Sequence, residues 1–402
     1  MKRIGMLTSG GDCQALNAAM RGVVKCLVNS NEDVEIYGFL DGYKGLIYGN
    51  FRMLAGHDFS GILTKGGTIL GSSRVPFKTI REPDENGVDK VEAMKQNYYK
   101  LRLDCLVILG GNGTHKTANL LREEGLNVIT LPKTIDNDLC LTDHTPGFGS
   151  AAKYIASTIL EIAHDTFSYP VPSVTIVEIM GRDAGWLTSA SALARNEYNT
   201  APHLIYLPEA PFDTAQFLAD VKELLKKQNT VIIAVSEGIR DKNGNYISAA
   251  SQTTDGFGHS HLSGAGKALE NFVTSNIDIK VRSIEINVLQ RSGAHISSAT
   301  DLTESFELGH HAVELAEEGV TGCMVTLKRL SSNPYKVAYG HENVAKIANE
   351  IRSVPREWIN EAGNDVLPPM YEYLRPLIIG EPDIRYKNGL PDYMDISHLT
   401  KA

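Results

Sequence analysis

Two polar loops carry the residue types that phosphoryl transfer requires. Gly110-Gly-Asn-Gly-Thr114 is a glycine turn whose backbone N–H groups a phosphate can approach, since a Cβ there would hold the anion off. Pro132-Lys-Thr-Ile-Asp-Asn-Asp138 carries two carboxylates and a hydroxyl at alternate positions. Asp136 can accept a proton from an attacking hydroxyl, with its neighbours orienting it or a metal ion. A glycine turn alone is a weak signal, because a turn after a strand is often only a turn. A carboxylate loop one βαβ unit later makes the pair specific.

These loops need elements that bring them together. Leu103–Leu109 reads as a buried strand, Thr114–Glu124 as a helix and Asn127–Leu131 as a second strand. Such a βαβ unit places the strands parallel and adjacent, with both loops at the same carboxyl edge. Further strands are expected at Arg3–Leu7, Val34–Leu40, Val174–Ile179, His203–Leu207, Thr230–Val235 and Val281–Leu289. Helical patterns fall at Gln14–Val28, Val91–Lys100, Ala151–Asp165, Gly185–Arg195, Thr214–Lys227 and Ala268–Ser275. This alternation predicts an α/β protein of two doubly wound, mostly parallel sheets with helices on both faces. The domain boundary is placed near 148–152, in the Pro146-Gly-Phe-Gly149 turn. Arg240–Lys267 reads as a surface insertion, and the last 50 residues as an extension packing on the body.

Composition narrows the partners. The 402 residues carry a net charge of −9 with no basic run, which argues against nucleic acid. Five widely spaced cysteines without a CxxC pair read as reduced thiols. No stretch of about 18 apolar residues is available to cross a membrane, so a cytoplasmic location is expected. His259 and His261 lie in the insertion without a third ligand at zinc spacing.

Together with Gly5-Met-Leu-Thr-Ser-Gly-Gly-Asp12, Gly66–Arg74, Glu178–Trp186 and Leu289–Gly293, these loops resemble the 6-phosphofructokinase family over roughly residues 1–345. The resemblance implies phosphorylation of fructose 6-phosphate at O1, with Mg²⁺ and ATP or pyrophosphate as donor. It makes Asp136 the general base, with Thr134 and Asp138 beside it. It places Gly11, Arg74, Val75, Gly111, Asn112, Gly113 and Thr114 around the donor. Thr134, Ile135, Asp136, Met180, Gly181, Arg182, Glu237 and Arg291 then hold the sugar phosphate. Arg282 is expected to reach a neighbouring subunit's site, which implies a homodimer or homotetramer. The implied domains are 1–150 for donor and Mg²⁺, 151–291 for the sugar, 292–345 returning to the first, and 346–402 as the extension.

Three positions depart from the family pattern. Asn112 stands where an acidic residue usually helps place Mg²⁺, so any metal role there rests on an amide. Ser173 replaces an interface arginine, and Val288 a histidine or tyrosine. Gly113 decides the donor in this family: an aspartate there repels ATP's α-phosphate, whereas glycine leaves room and favours ATP. Lys133 and Asp183–Trp186 are closer to the pyrophosphate-using branch. A nucleotide or lipid kinase shares the glycine loop but leaves Asp136, Arg282 and Arg291 unexplained, and a silent regulatory paralogue is opposed by the intact Asp136 loop. Arg21 and Lys25 on the first helix read either as an effector-binding pair or as a solvated face.

Overall fold

Runs of Val, Ile and Leu that must be covered on both faces build two sheets in this structure, a computed structural model describing residues 3–30, 33–247, 264–347, 350–393 and 395. The first sheet contains β1 (Arg3–Thr8), β2 (Glu35–Phe39), β3 (Phe51–Leu54), β4 (Cys105–Gly110) and β5 (Val128–Pro132). The second contains β6 (Ser173–Ile179), β7 (Leu204–Tyr206), β8 (Thr230–Ser236) and β9 (Lys280–Glu285). The chain then returns to the first sheet with β10 (Cys323–Ser332) and β11 (Tyr335–Asn343), giving the order β11-β10-β5-β4-β1-β2-β3. Only the outer pairs β2–β3 and β10–β11 are antiparallel there, and the second sheet, β7-β8-β6-β9, is wholly parallel.

The strand period of two sorts side chains between cores. Ile4, Met6, Val107, Leu109, Ile129 and Leu131 face one way from the first sheet, whereas Leu7, Leu106, Ile108 and Val128 face the other. Val177, Ile179, Ile205 and Ile232 of the second sheet join the first of these clusters, so one core spans both sheets. Helices fill the spaces: α1 (Leu16–Ser30), α2 (Tyr43–Tyr48), α3 (Lys90–Lys100), α4 (Asn112–Glu123), α5 (Phe148–Phe167) and α6 (Trp186–Ala190). They continue with α7 (Thr214–Leu225), α8 (Ala265–Thr274), α9 (Leu289–Ser292), α10 (Ala299–Glu317), α11 (Val344–Ile347) and α12 (Pro368–Leu374). The chain beyond β11 also packs inward, burying Met370, Leu374 and Leu377 in the shared core.

Two sequence expectations change. The strand expected over Val281–Leu289 ends at Glu285, because Asn287 takes a left-handed φ of 48° and the chain turns into α9. The helix expected over Gly185–Arg195 divides into α6 and a tighter 3-10 turn at Ser191–Ala194. Strands β3, β10 and β11 have no counterpart among the expected strands, and the half-exposed β11 mixes Lys336, Gly340 and His341 among its apolar residues. His259 and His261 lie outside the described residues, as does most of the Arg240–Lys267 insertion.

α10 lies against α1 so closely that glycine is required on each helix. A Cβ at Gly22 would sit 1.9 Å from the Phe306 carbonyl oxygen, and one at Gly309 would sit 2.0 Å from that of Ala19. Gly22→Ala is therefore expected to lower unfolding free energy by about 3 kcal/mol, at the upper end of overpacking costs. A urea titration showing an unchanged midpoint would refute this close contact.

Candidate active site

The carboxyl ends of β1, β4 and β5 meet in one cleft. The Lys133 backbone N–H donates to the Gly110 carbonyl at 2.9 Å, tying the start of the carboxylate loop to the glycine turn. Ser9 bridges Ser73 and Gly10 N–H donates to the Ser73 carbonyl at 3.3 Å, which brings the Arg74 loop alongside. A Cβ on Gly11 would lie 3.4 Å from Arg291 Nη1 and 4.0 Å from Arg74 Nη2, so both guanidiniums approach this backbone. Lys133, almost fully buried, donates from Nζ to the Gly11 carbonyl. A Cβ on Gly111 would face the Lys133 carbonyl at 3.5 Å, whereas one on Gly113 would meet nothing within 4 Å. Thr114 is buried at the start of α4 and Val75 packs on the core below.

The second sheet supplies the opposite wall. β6 ends in Met180, Gly181 and Arg182, and β8 ends in Glu237 and Gly238, in register at Ile179 and Ser236. Ser236 Oγ donates to the Gly181 carbonyl at 2.6 Å, and Gly181 N–H donates to Glu237 Oε1 at 3.3 Å. A Cβ on Gly238 would lie 1.9 Å from the Arg182 carbonyl oxygen, so the two loops touch only because Gly238 has no side chain. Gln290, which has no role assigned among the sequence expectations, is fully buried and ties these parts together. Its Oε1 accepts from Met180 N–H at 3.3 Å, while Gln14 Nε2 donates to its carbonyl at 3.0 Å. No spacing rule marks such a residue; its meaning appears only when three loops converge on it.

Asp136 lies between the walls. Its N–H donates to Thr134 Oγ1 at 3.0 Å, Ile135 is buried beneath it, and the next residue, Asn137, turns the chain at φ 55°. Burial pushes the Asp136 carboxyl above its ordinary range, while Lys133, Arg182, Arg291 and Arg74 pull it down. Asp138 is raised to about 7 by burial and then by repulsion from Asp136. Glu237 is raised to about 7 for the same two reasons. Arg182 Nε is buried without a hydrogen-bond partner, as is Asn112 Oδ1. These are an open donor and an open acceptor at a cleft.

The donor set suits Mg²⁺ rather than a metal caged by protein. No group of three His, Cys, Asp or Glu residues able to hold a metal occurs among the described residues. Mg²⁺ is commonly held by one or two carboxylates together with substrate phosphates and waters. Asp136 and Asp138 are carboxylates of the type such a site uses, and Asn112 Oδ1 is an unsatisfied acceptor on the donor loop.

Arg282 is not brought to this cleft. It pairs in register with Thr175 and stands three residues before Glu285, the carboxyl end of β9, or roughly 10 Å along the strand. Its Nη2 donates to Asp165 at 3.0 Å and Thr166 at 2.9 Å, and its Nε to Thr175 at 3.1 Å. A surface hollow of about 680 Å³ beside it is lined by Leu160, Glu161, His164, Asp165, Ser168 and Tyr169. Ser173 lies opposite Lys280, farther still from the edge. On α1, Arg21 Nη1 donates to the Phe59 carbonyl at 2.5 Å and Lys25 is exposed. Buried His115 is pushed down to about 3, chiefly by burial, and stays neutral.

The family model for phosphofructokinase matches residues 3–316. A pyrophosphate–fructose 6-phosphate 1-phosphotransferase of Halomonas elongata is 34% identical over 399 residues, covering 95% of this chain and 93% of that protein. An ATP-dependent 6-phosphofructokinase of Spirochaeta thermophila is 40% identical over 340 residues, covering 81% and 87%. Among solved structures, the pyrophosphate-dependent phosphofructokinase of Marinobacter aquaeolei superposes with a TM-score of 0.85 at 28% identity, covering 98% and 95%.

The crowded carboxylates carry a stability cost with a definite sign. Asp138 rises from 3.8 to about 7 on folding, so between those values the folded chain keeps a proton that the unfolded chain has released. Its contribution to stability therefore falls as pH rises through that window. Without ligands, Asp138→Asn is expected to melt higher than the parent at pH 8, with the gap shrinking towards pH 5. Equal melting differences at both pH values would show that ionisation is not the cause.

Proposed function

Because the chain belongs to the phosphofructokinase family, we propose that its cleft moves the terminal phosphoryl group of ATP to O1 of D-fructose 6-phosphate, giving fructose 1,6-bisphosphate and ADP. At the coarser level it is a phosphofructokinase-type phosphotransferase acting on fructose 6-phosphate. The observation that carries the reading is Asp136, burial-raised yet ringed by Lys133, Arg182, Arg291 and Arg74 from both walls. A carboxylate so placed has a raised proton affinity and remains close to groups that neutralise phosphate charge.

In this reading Asp136 takes the proton of the sugar's C1 hydroxyl as that oxygen attacks the donor phosphorus. Thr134 and Ile135 shape the acceptor's seat, and Asp138 supports the base or the metal. Met180, Gly181, Arg182 and Glu237 hold the sugar, with the free Arg182 Nε an available donor. Arg291 takes the 6-phosphate, where its fork suits two phosphate oxygens. Gly11, Arg74, Val75, Gly111, Asn112, Gly113 and Thr114 form the donor's seat. Mg²⁺, held by the carboxylate pair, the Asn112 amide and the donor's own phosphates, would neutralise charge on the transferring group. A cytoplasmic glycolytic step fits this reaction, and among the described residues no helix is long and apolar enough to cross a membrane.

ATP is the donor we favour, because the space above Gly113 is open and uncharged. Pyrophosphate is the second reading. It is favoured by Lys133, whose buried ammonium lies against Gly11 below the donor loop, and by the donor named for the Halomonas relative. Arg282 is proposed to complete the site of a second copy, giving a homodimer or homotetramer. Its distance from its own cleft supports this, as do the exposed Phe167, Tyr169 and Val171 next to it.

Wild-type protein with fructose 6-phosphate and Mg²⁺ is expected to turn over ATP and to leave pyrophosphate largely unused; the reverse preference overturns the donor assignment alone. Asp136→Asn should retain the fold and lose about 10²–10⁴-fold in kcat. Near-normal turnover in that variant removes Asp136 as the base.

Mixing Arg282→Ala protomers with Asp136→Asn protomers should restore activity above either parent, since some sites then receive both intact residues. Mixed oligomers that form without recovering activity would exclude the intersubunit role.

A further inference from the structure

Behind the Asp136–Asp138 loop runs a strip of chain that lies beyond the residues matched by the family model. Ile351 forms an antiparallel bridge with Leu139, and Arg352 N–H donates to the Asp138 carbonyl at 2.8 Å. Trp186 Nε1 donates to the Arg352 carbonyl at 2.8 Å, and the Arg352 guanidinium lies 4.3 Å over the Trp186 ring. Glu209 Oε1 accepts from both Gly185 N–H and Val354 N–H at 2.8 Å, fixing the far end of the strip. The same strip touches the donor loop, where Asn112 Nδ2 donates to the Glu350 carbonyl at 3.4 Å.

Tyr373 on α12 is the centre of this contact. Its hydroxyl accepts from Asn137 Nδ2 at 2.8 Å and from Arg352 Nη1 at 3.2 Å, and it donates to the Asp143 carbonyl at 2.7 Å. One donor and two acceptor positions exhaust what a phenol offers. Asn137 is fully buried, stands between Asp136 and Asp138, and holds the left-handed turn at φ 55°. Its amide therefore ties the turn that carries both carboxylates to Tyr373.

We infer that Tyr373 is a positioning residue for the phosphoryl-transfer loop, fixing Asn137 from behind while residues 350–354 fix Asp138. The inference rests on the assignment of Asp136 as the base. A core role alone would need only the ring, which packs 5.1 Å from Trp186 and 5.7 Å from Trp358. The hydroxyl, by contrast, spends all its bonds on the loop, on Arg352 of the strip and on Asp143 where the loop's chain continues. Misplacement of a reacting group by about 1 Å can cost up to 10²-fold in rate.

Tyr373→Phe keeps the ring and removes the hydroxyl. Its kcat with fructose 6-phosphate is expected to fall about tenfold, with both KM values within about twofold of the parent. Asn137→Gly, which adopts the same φ without strain but lacks the amide, should lose a similar factor. The double variant should lose no more than the worse single one, because the Asn137–Tyr373 hydrogen bond that Asn137→Gly removes is already among the three lost in Tyr373→Phe. Amide exchange over residues 134–140, read without substrates, should quicken in each variant. An unchanged kcat in Tyr373→Phe, or losses that multiply in the double variant, overturns the inference. If the parent protein phosphorylates no fructose 6-phosphate, the base assignment fails separately. Exchange then decides: unchanged protection in Tyr373→Phe refutes the hold on the loop, and faster exchange sustains it.

Discussion

A carboxylate taken out of water has to be balanced by positive charge if it is to ionise at all, and this requirement organises the molecule. Burial raises Asp136, and the four cations that oppose it come from separate places. Lys133 precedes it on its own loop, Arg74 follows β3, Arg182 follows β6 and Arg291 lies on α9. No single supersecondary unit can deliver all four, so two sheets must present their carboxyl edges to one another. The shared core through Leu131, Ile179 and Ile205 fixes the two sheets against each other. Gln290 then locks the loops at the cleft itself.

The same balance explains the neighbours. Burial, and after it the nearness of Asp136, pushes Asp138 and Glu237 up to about 7, so the site holds more acid than its surroundings comfortably ionise. Phosphate donors bring further negative charge, which the guanidiniums and Mg²⁺ must take up. A cleft of this kind is poorly stabilised when empty and better matched when filled. Stability is given up locally so that charge can be met by ligands.

Much of this was legible in the sequence for definite physical reasons. Buried parallel strands leave unbroken Val, Ile and Leu runs, so β4, β5, β6 and β8 stood out. Glycines at loop starts marked places where other groups approach the backbone, as at Gly11, beside Arg291 and Arg74, and Gly111, beside the Lys133 carbonyl. What stayed hidden depends on long-range contact. β11 is half exposed and lacks a clean alternation, and β9 stops at Glu285 because of one left-handed asparagine. Gln290 and Tyr373 gain their meaning only from partners far away in the chain, with a separation of 236 positions between Tyr373 and Asn137. Arg282 was named from the family resemblance, but only the register with Thr175 shows how far it sits from its own cleft.

The strand order also fixes a sequence of events during synthesis. β5, which feeds the Asp136 loop, has β4 on one side and β10 on the other. The hydrogen bond between Val128 and Thr321 that joins this region spans 193 residues. A chain leaving the ribosome completes all four strands of the second sheet before the outer neighbour of β5 has been made. Loop closure over such a span is slow and comes late. The nascent protein therefore holds the Asp136 loop beside an open sheet edge for nearly half of its translation, and segments that emerge late are the ones that cover it.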